Sequence, residues 1–246
     1  MFLTESKPWN VIKKQFFYKL KAYRGVYTSM IVIQLLALLF SLGGMGMGGG
    51  GSAIVSYEVN LYSVNLIIGF MMIWAFIISI VTTTKAYRED DFTFVTNRFT
   101  SHLSTILFLI TASIVGAITT FLAGYTLKVI MFFITKGDIV TESVFQISIW
   151  GFFGLILYLL LFASFGYTCG MLVQMSKIFI ILIPALLFGS MFLMSQLLNK
   201  DITLAEIGLV FAGESSFLIF LVKIFITVIP LLGLVTMLTN RMEVRS

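Results

Sequence analysis

Few side chains in this sequence are of types that do covalent or metal chemistry. It has one histidine, His102, and one cysteine, Cys169. A single cysteine cannot close an intramolecular disulfide, and one imidazole with one thiol cannot build the usual structural metal cage. His102 has no second histidine beside it and no serine at an obvious partner position, so it reads as an interfacial or capping residue. There is no G-x-x-x-x-G-K-[ST] and no Gly-Lys pair anywhere, so the chain supplies no P-loop, and neither H-E-x-x-H nor G-x-S-x-G occurs. The glycine run GGMGMGGGG at 43–51 leads into SAIVSYEVN with no basic residue. A phosphate cradle needs glycines at set spacing followed by a helix and usually a lysine, so this run is expected to be a flexible loop.

The polar stretch with a pattern of its own is KAYREDDFTFVTNRFTS, Lys85 to Ser101. Glu89, Asp90 and Asp91 precede Phe92, Val95 and Phe99, which share one face of a short helix, and the acids suit that helix's positive N-terminal end. A helix of two turns is not stable alone, so its apolar face requires a docking surface.

Composition decides the setting of that stretch. Hydrophobic residues make up 59% of the chain, mean hydropathy is +1.04 and 11% of residues are charged, more apolar surface than a soluble domain can cover. The chain reads as an all-α polytopic membrane protein. Six apolar segments, at about 25–44, 61–83, 102–124, 147–173, 177–198 and 216–239, each reach the ~20 residues that span the hydrocarbon core. The third can continue through Tyr125 to Phe133, where Lys128 is the only charge. Gly166 and Gly170 form GxxxG, Ala112 and Gly116 form a second small-xxx-small pair, and both are expected to serve close helix packing. Gln34 and Asn65 are expected to bond across helix interfaces. Pro184 and Pro230 fall within the fifth and sixth segments, where kinks follow from the lost hydrogen bond.

Ahead of the first segment, Met1 to Arg24 is too long and too polar for a cleavable signal peptide and is expected to be retained. Trp9, Ile12, Phe16, Leu20 and Tyr23 recur at spacings of three and four, with Lys13, Lys14, Lys19 and Lys21 on the flanks and far side. That pattern predicts an amphipathic helix lying on an anionic membrane surface. Of the sixteen Lys and Arg, twelve fall in the leader, the loops after the second and fourth segments and the C-terminal tail. Three (Lys128, Lys136 and Lys200) fall in the opposite loops, so the positive-inside bias puts both termini and the Lys85–Ser101 loop in the cytoplasm. On the outer side, residues 199–215 alternate Ile202, Leu204, Ile207, Val210 and Phe211 with Asp201, Glu206 and Glu214, which fits a re-entrant or amphipathic piece as well as a plain loop. Lys223 is the one charge inside an apolar segment. It lies near enough to the outer end for its stem to snorkel to the interface, and a place on a substrate path is the alternative.

A cytoplasmic amphipathic leader, six spans, a loop after the second span carrying FTFVTNRFTSHLS, a long third span and an amphipathic outer segment before the sixth together resemble the membrane subunit of a compact bacterial type-2 ABC exporter. TNR is the one local match, and the resemblance otherwise rests on arrangement over nearly the whole chain. It implies one transmembrane domain over 1–246: an interface helix within 1–24 (Trp9, Ile12, Phe16, Leu20), a bundle over 25–239 and a cytoplasmic tail at 240–246. It also implies a coupling helix in loop 85–101 that docks on a separate ATPase through Asp90, Asp91, Phe92, Phe94, Val95, Thr96, Asn97, Arg98 and Phe99. ATP and Mg would then be held by that partner and no cofactor by this chain, a second six-span copy or related subunit would complete the pathway, and the location would be the inner membrane. A hydrophobic or amphipathic substrate, with peptides or antimicrobials favoured by the lack of any large soluble domain, would move outward. Two other classes fit six spans without an ATPase site: a substrate-capture subunit of an energy-coupling importer, and a non-transporting scaffold or immunity protein.

Overall fold

The computed structural model describes residues 8–43, 46–51, 56–61, 64–87, 98–134, 149–198 and 216–241. In chain order these form α1 (Pro8–Ala22), α2 (Arg24–Leu42), β1 (Gly46–Gly51), β2 (Ser56–Leu61), α3 (Asn65–Val81), α4 (Arg98–Ile134), α5 (Ile149–Met175), α6 (Phe179–Leu198) and α7 (Phe217–Arg241). Five of these helices, α2, α4, α5, α6 and α7, are long and apolar enough to cross a membrane, as expected of a membrane-embedded protein. The remaining apolar helix, α3, has 17 residues, about 26 Å of rise, at the lower limit for a span.

The third apolar segment extends at both ends. α4 runs unbroken for 37 residues, about 55 Å, so one helix covers the expected span, its continuation past Tyr125 and the last residues assigned above to the polar loop. Its far end is held by Ala123, Leu127 and Met131, which pack with Ala37 of α2 and Val64 and Ile67 at the head of α3.

One expectation is corrected in the connection between α2 and α3. Gly46–Gly51, read above as flexible loop in an all-α chain, pairs antiparallel with Ser56–Leu61, in register from Gly46 opposite Leu61 to Gly51 opposite Ser56. Glycine has weak strand propensity, but the run has to return the chain between two packed helices, and pairing satisfies those of its backbone donors and acceptors that point at the partner strand.

α5 is the central helix. Buried residues fall around most of its circumference, from Leu155, Leu159 and Leu161 to Ala163, Tyr167 and Met171. It packs most extensively on α3, and the GxxxG pair makes this possible. A β-carbon on Gly166 would collide with the Phe76 carbonyl oxygen and Ser79 Oγ, and one on Gly170 with Thr83 Oγ1. A β-carbon on Gly116 would meet the same layer less tightly, reaching the ends of Met71 at 3.3 Å and Leu159 at 3.4 Å. Both small-residue pairs therefore serve packing, as expected.

Polar groups within the bundle bond between helices. Gln34 Nε2 donates to Thr119 Oγ1 at 2.7 Å, joining α2 to α4, and Trp74 Nε1 donates to Ser29 Oγ at 3.0 Å, joining α3 to α2. Asn65 is the exposed first residue of α3. On the other side, α7 lays Phe220, Ile224 and Val228 against Leu161, with the Tyr158 and Phe220 rings 4.9 Å apart. α6 contains Pro184, meets α5 and leaves Phe179, Ile183 and Met191 half-buried, while most of its large apolar side chains are exposed. Pro230 likewise sits inside the continuous α7.

The α3–α5 contact yields a graded prediction. Gly166→Ala should destabilise the detergent-solubilised protein by about 1–3 kcal/mol, because a backbone carbonyl cannot step aside. Gly189→Ala on α6, where nothing lies within 4 Å of the new atom, should be neutral or slightly stabilising in the same thermal-unfolding assay.

Candidate functional site

The described residues that flank 88–97 in the chain belong to a polar junction of α1, α3, α4 and α5. It begins with α1, whose buried face is Ile12, Gln15 and Lys19, continued by Tyr23 just beyond the helix. These four recur at three, four and four residues, one face of a helix.

Lys19 corrects the sequence reading. Placed above among the lysines on the flanks and far side of the leader helix, it is 1% exposed and lies between α1 and α4. Its Nζ donates to the Ser101 carbonyl oxygen at 3.1 Å and to Thr105 Oγ1 at 2.6 Å. A buried ammonium is tolerated only where oxygens replace its water, and the first turns of α4 supply them. The Ser101 carbonyl also accepts from Ser104 Oγ at 2.7 Å and from Thr105 Oγ1 at 3.0 Å.

Tyr23 continues the junction toward α3. Its hydroxyl donates to the Tyr87 carbonyl oxygen at 3.2 Å, and its ring meets Tyr87 edge-on at 4.6 Å and Phe108 of α4 at 5.4 Å. His102, in the second turn of α4, reaches α5: its Nδ1 lies 2.6 Å from Tyr167 Oη. Which of the two donates depends on the imidazole tautomer. Tyr167 is buried and is the next residue after Gly166, so this bond fixes α4 to the part of α5 that α3 approaches most closely. His102 thus makes an interhelical bond in addition to the interfacial or capping place expected of it.

The arrangement is a set of hydrogen bonds between helix ends. It ties the leader helix, the end of the α3 segment and the start of α4 into one unit resting on α5. Among the described residues no group of three His, Cys, Asp or Glu side chains is placed to hold a metal ion.

Of the leader residues singled out from the sequence, Ile12 is buried, Phe16 and Leu20 are half-buried against the main core, and Trp9 is 61% exposed. Phe17 is also exposed, so α1 combines a face docked on α4 with an apolar edge facing outward. Of the proposed loop contacts, Asp90, Asp91, Phe92, Phe94, Val95, Thr96 and Asn97 lie outside the described residues, as does the outer segment 199–215. Arg98 and Phe99 open α4 itself, with Phe99 52% exposed, so these two belong to the long helix and the polar loop ends before them. Lys223 is half-buried two turns into α7, on a helix far along the chain from the junction.

Sequence reasoning did not find the Lys19–Thr105 or His102–Tyr167 pairs. Lys19 had a local signal, its spacing from Ile12, Gln15 and Tyr23. His102 and Tyr167 are separated by 65 residues with no pattern linking them.

Comparison of the chain with family models, with curated proteins and with solved structures finds no match in any of the three.

The His102–Tyr167 bond should be measurable as a coupling between α4 and α5. In a double-mutant cycle of His102→Ala and Tyr167→Phe, unfolding in detergent should give a coupling energy of about 0.5–1.5 kcal/mol. Strict additivity would mean that the bond contributes nothing to holding the helices together.

Proposed function

We propose that this chain is the membrane subunit of an ATP-driven exporter of the type-2 ABC kind. In this reading a separate ATPase binds and hydrolyses ATP with Mg, and this chain carries the resulting motion into the membrane. The observation that carries the reading is the burial of the leader helix against the start of α4. The end of α1 lies beside Tyr87 and the start of α4, the described residues that flank the 88–97 segment in the chain. A polar segment of this kind with an apolar pattern of its own, in a chain lacking a P-loop, is suited to receive force from another chain.

Counting α3 as a span supports a six-span half. α3 packs against α2, α4 and α5, all of span length, and it is followed by Thr82, Thr83 and Thr84. Their hydroxyls bond back to the carbonyls of Ser79, Ile80 and Val81, so these polar side chains are satisfied locally beyond the end of the helix. An even number of spans puts both termini on one side, and the lysine and arginine bias makes that side the cytoplasm; the bacterial inner membrane follows from the arrangement that the sequence resembles. A second six-span half, identical or related, would complete the pathway. Outward movement of a hydrophobic or amphipathic cargo, a peptide or antimicrobial in the first instance, follows the arrangement that the sequence resembles. On this reading Phe92 and Phe99 supply the apolar contact to the ATPase, Asp90, Asp91 and Arg98 the charged rim, and Lys223 is a snorkelling residue near the outer surface.

The test is purification of the full chain from its native membrane in mild detergent. An ATPase carrying a P-loop should co-purify. The Phe92→Asp, Phe99→Asp double variant should fold normally but lose that ATPase, lowering the recovered ATP hydrolysis at least tenfold. Recovery of the chain without any ATPase, or full hydrolysis in the double variant, would contradict the reading.

A further inference from the structure

Lys19 and Tyr23 are four residues apart, one helical turn, and both are buried. Their donors reach opposite ends of the same segment. Tyr23 Oη bonds the carbonyl of Tyr87, the last described residue before 88–97, and Lys19 Nζ bonds the carbonyl of Ser101, in the first turn of α4 after it. A single turn at the end of α1 therefore holds both roots of the segment that joins α3 to α4.

The chemistry of the contact argues for more than stability. The N-terminal end of a helix carries partial positive charge, so an ammonium at the start of α4 is in an electrostatically unfavourable place. An apolar side chain of similar length would fill the space without the desolvation that a buried charge incurs. What an apolar residue could not do is fix direction: two oxygens, Ser101 O and Thr105 Oγ1, define where the ammonium sits on α4. The Tyr23 ring, edge-on to both Tyr87 and Phe108, restricts the approach of the other root in the same way.

We propose that Lys19 and Tyr23 are positioning residues that clamp the two roots of the 88–97 segment, setting their separation and orientation from the N-terminal helix. The clamp concerns the geometry of this chain alone. Its use in passing motion from a docked ATPase rests on the function proposed above.

The experiment is a pulsed dipolar distance measurement on the full chain in lipid nanodiscs. Spin labels are attached at Thr84→Cys and Phe99→Cys, both exposed, on a Cys169→Ser background. With the clamp intact the labels should give one narrow distance distribution. Combining Lys19→Met, which keeps the stem and removes the ammonium, with Tyr23→Phe, which removes one hydroxyl and keeps the ring, should widen it at least twofold. Lys19→Arg, which restores charged donors, should keep it narrow while the sample stays monodisperse. An unchanged width in the Lys19→Met, Tyr23→Phe variant would overturn the clamp. If that variant does not fold, Tyr23→Phe alone decides: broadening supports the clamp and an unchanged width overturns it. No ATPase takes part, so a failed clamp leaves the ATPase reading standing, and a chain with no ATPase partner leaves the clamp standing.

Discussion

An ammonium group removed from water has to find oxygen atoms in exchange, and at Lys19 that requirement ties the N-terminal helix to the rest of the molecule. The oxygens are a backbone carbonyl and a threonine hydroxyl in the first two turns of α4. Because the start of α4 supplies both, α1 cannot slide or rotate along it without breaking both of these hydrogen bonds. Tyr23, one turn further on, extends the same constraint to Tyr87 at the end of the α3 segment. The three helix ends that meet here are therefore placed relative to one another by hydrogen bonds, which specify position more narrowly than apolar contact does.

The junction in turn rests on the contact between α3 and α5. Gly166 and Gly170 let the α5 backbone come against Phe76, Ser79 and Thr83, and His102 bonds Tyr167 beside the first of these glycines. In lipid, helices gain little from apolar burial as such and associate through close packing and interhelical hydrogen bonds. This chain uses both at one level of the bundle. α6 shows the least of this packing: it meets α5, and most of its large apolar side chains are exposed.

The helices were legible from the sequence because span length and hydropathy are local properties. The six apolar segments correspond to α2 through α7, and the run past Tyr125 correctly extended α4. GxxxG was legible as packing because only small residues permit that approach, and Gln34 as an interhelical bond because an amide within an apolar segment must find a partner. What the sequence hid depended on position along a helix face or on distant pairing. Lys19 shares the face of Ile12 and Tyr23 as closely as any apolar leader residue, but a lysine in an amphipathic pattern is ordinarily solvated, and that expectation outweighed its spacing. The partner of His102 lies 65 residues away and no local rule points to it. The Gly46–Gly51 strand was missed because glycine carries no side-chain alternation from which a strand could be read.

The central claim is that force enters this chain where the 88–97 segment meets α4. Phe99, exposed in the first turn of α4, offers the most direct access to it. A photoreactive phenylalanine analogue at that position, irradiated in native membranes and followed by mass spectrometry of the adduct, reports what lies against it. The account predicts a cross-link to a soluble polypeptide carrying a P-loop. Adducts to lipid alone would mean that this face lies in the membrane and that the proposed route for ATP-driven motion is wrong.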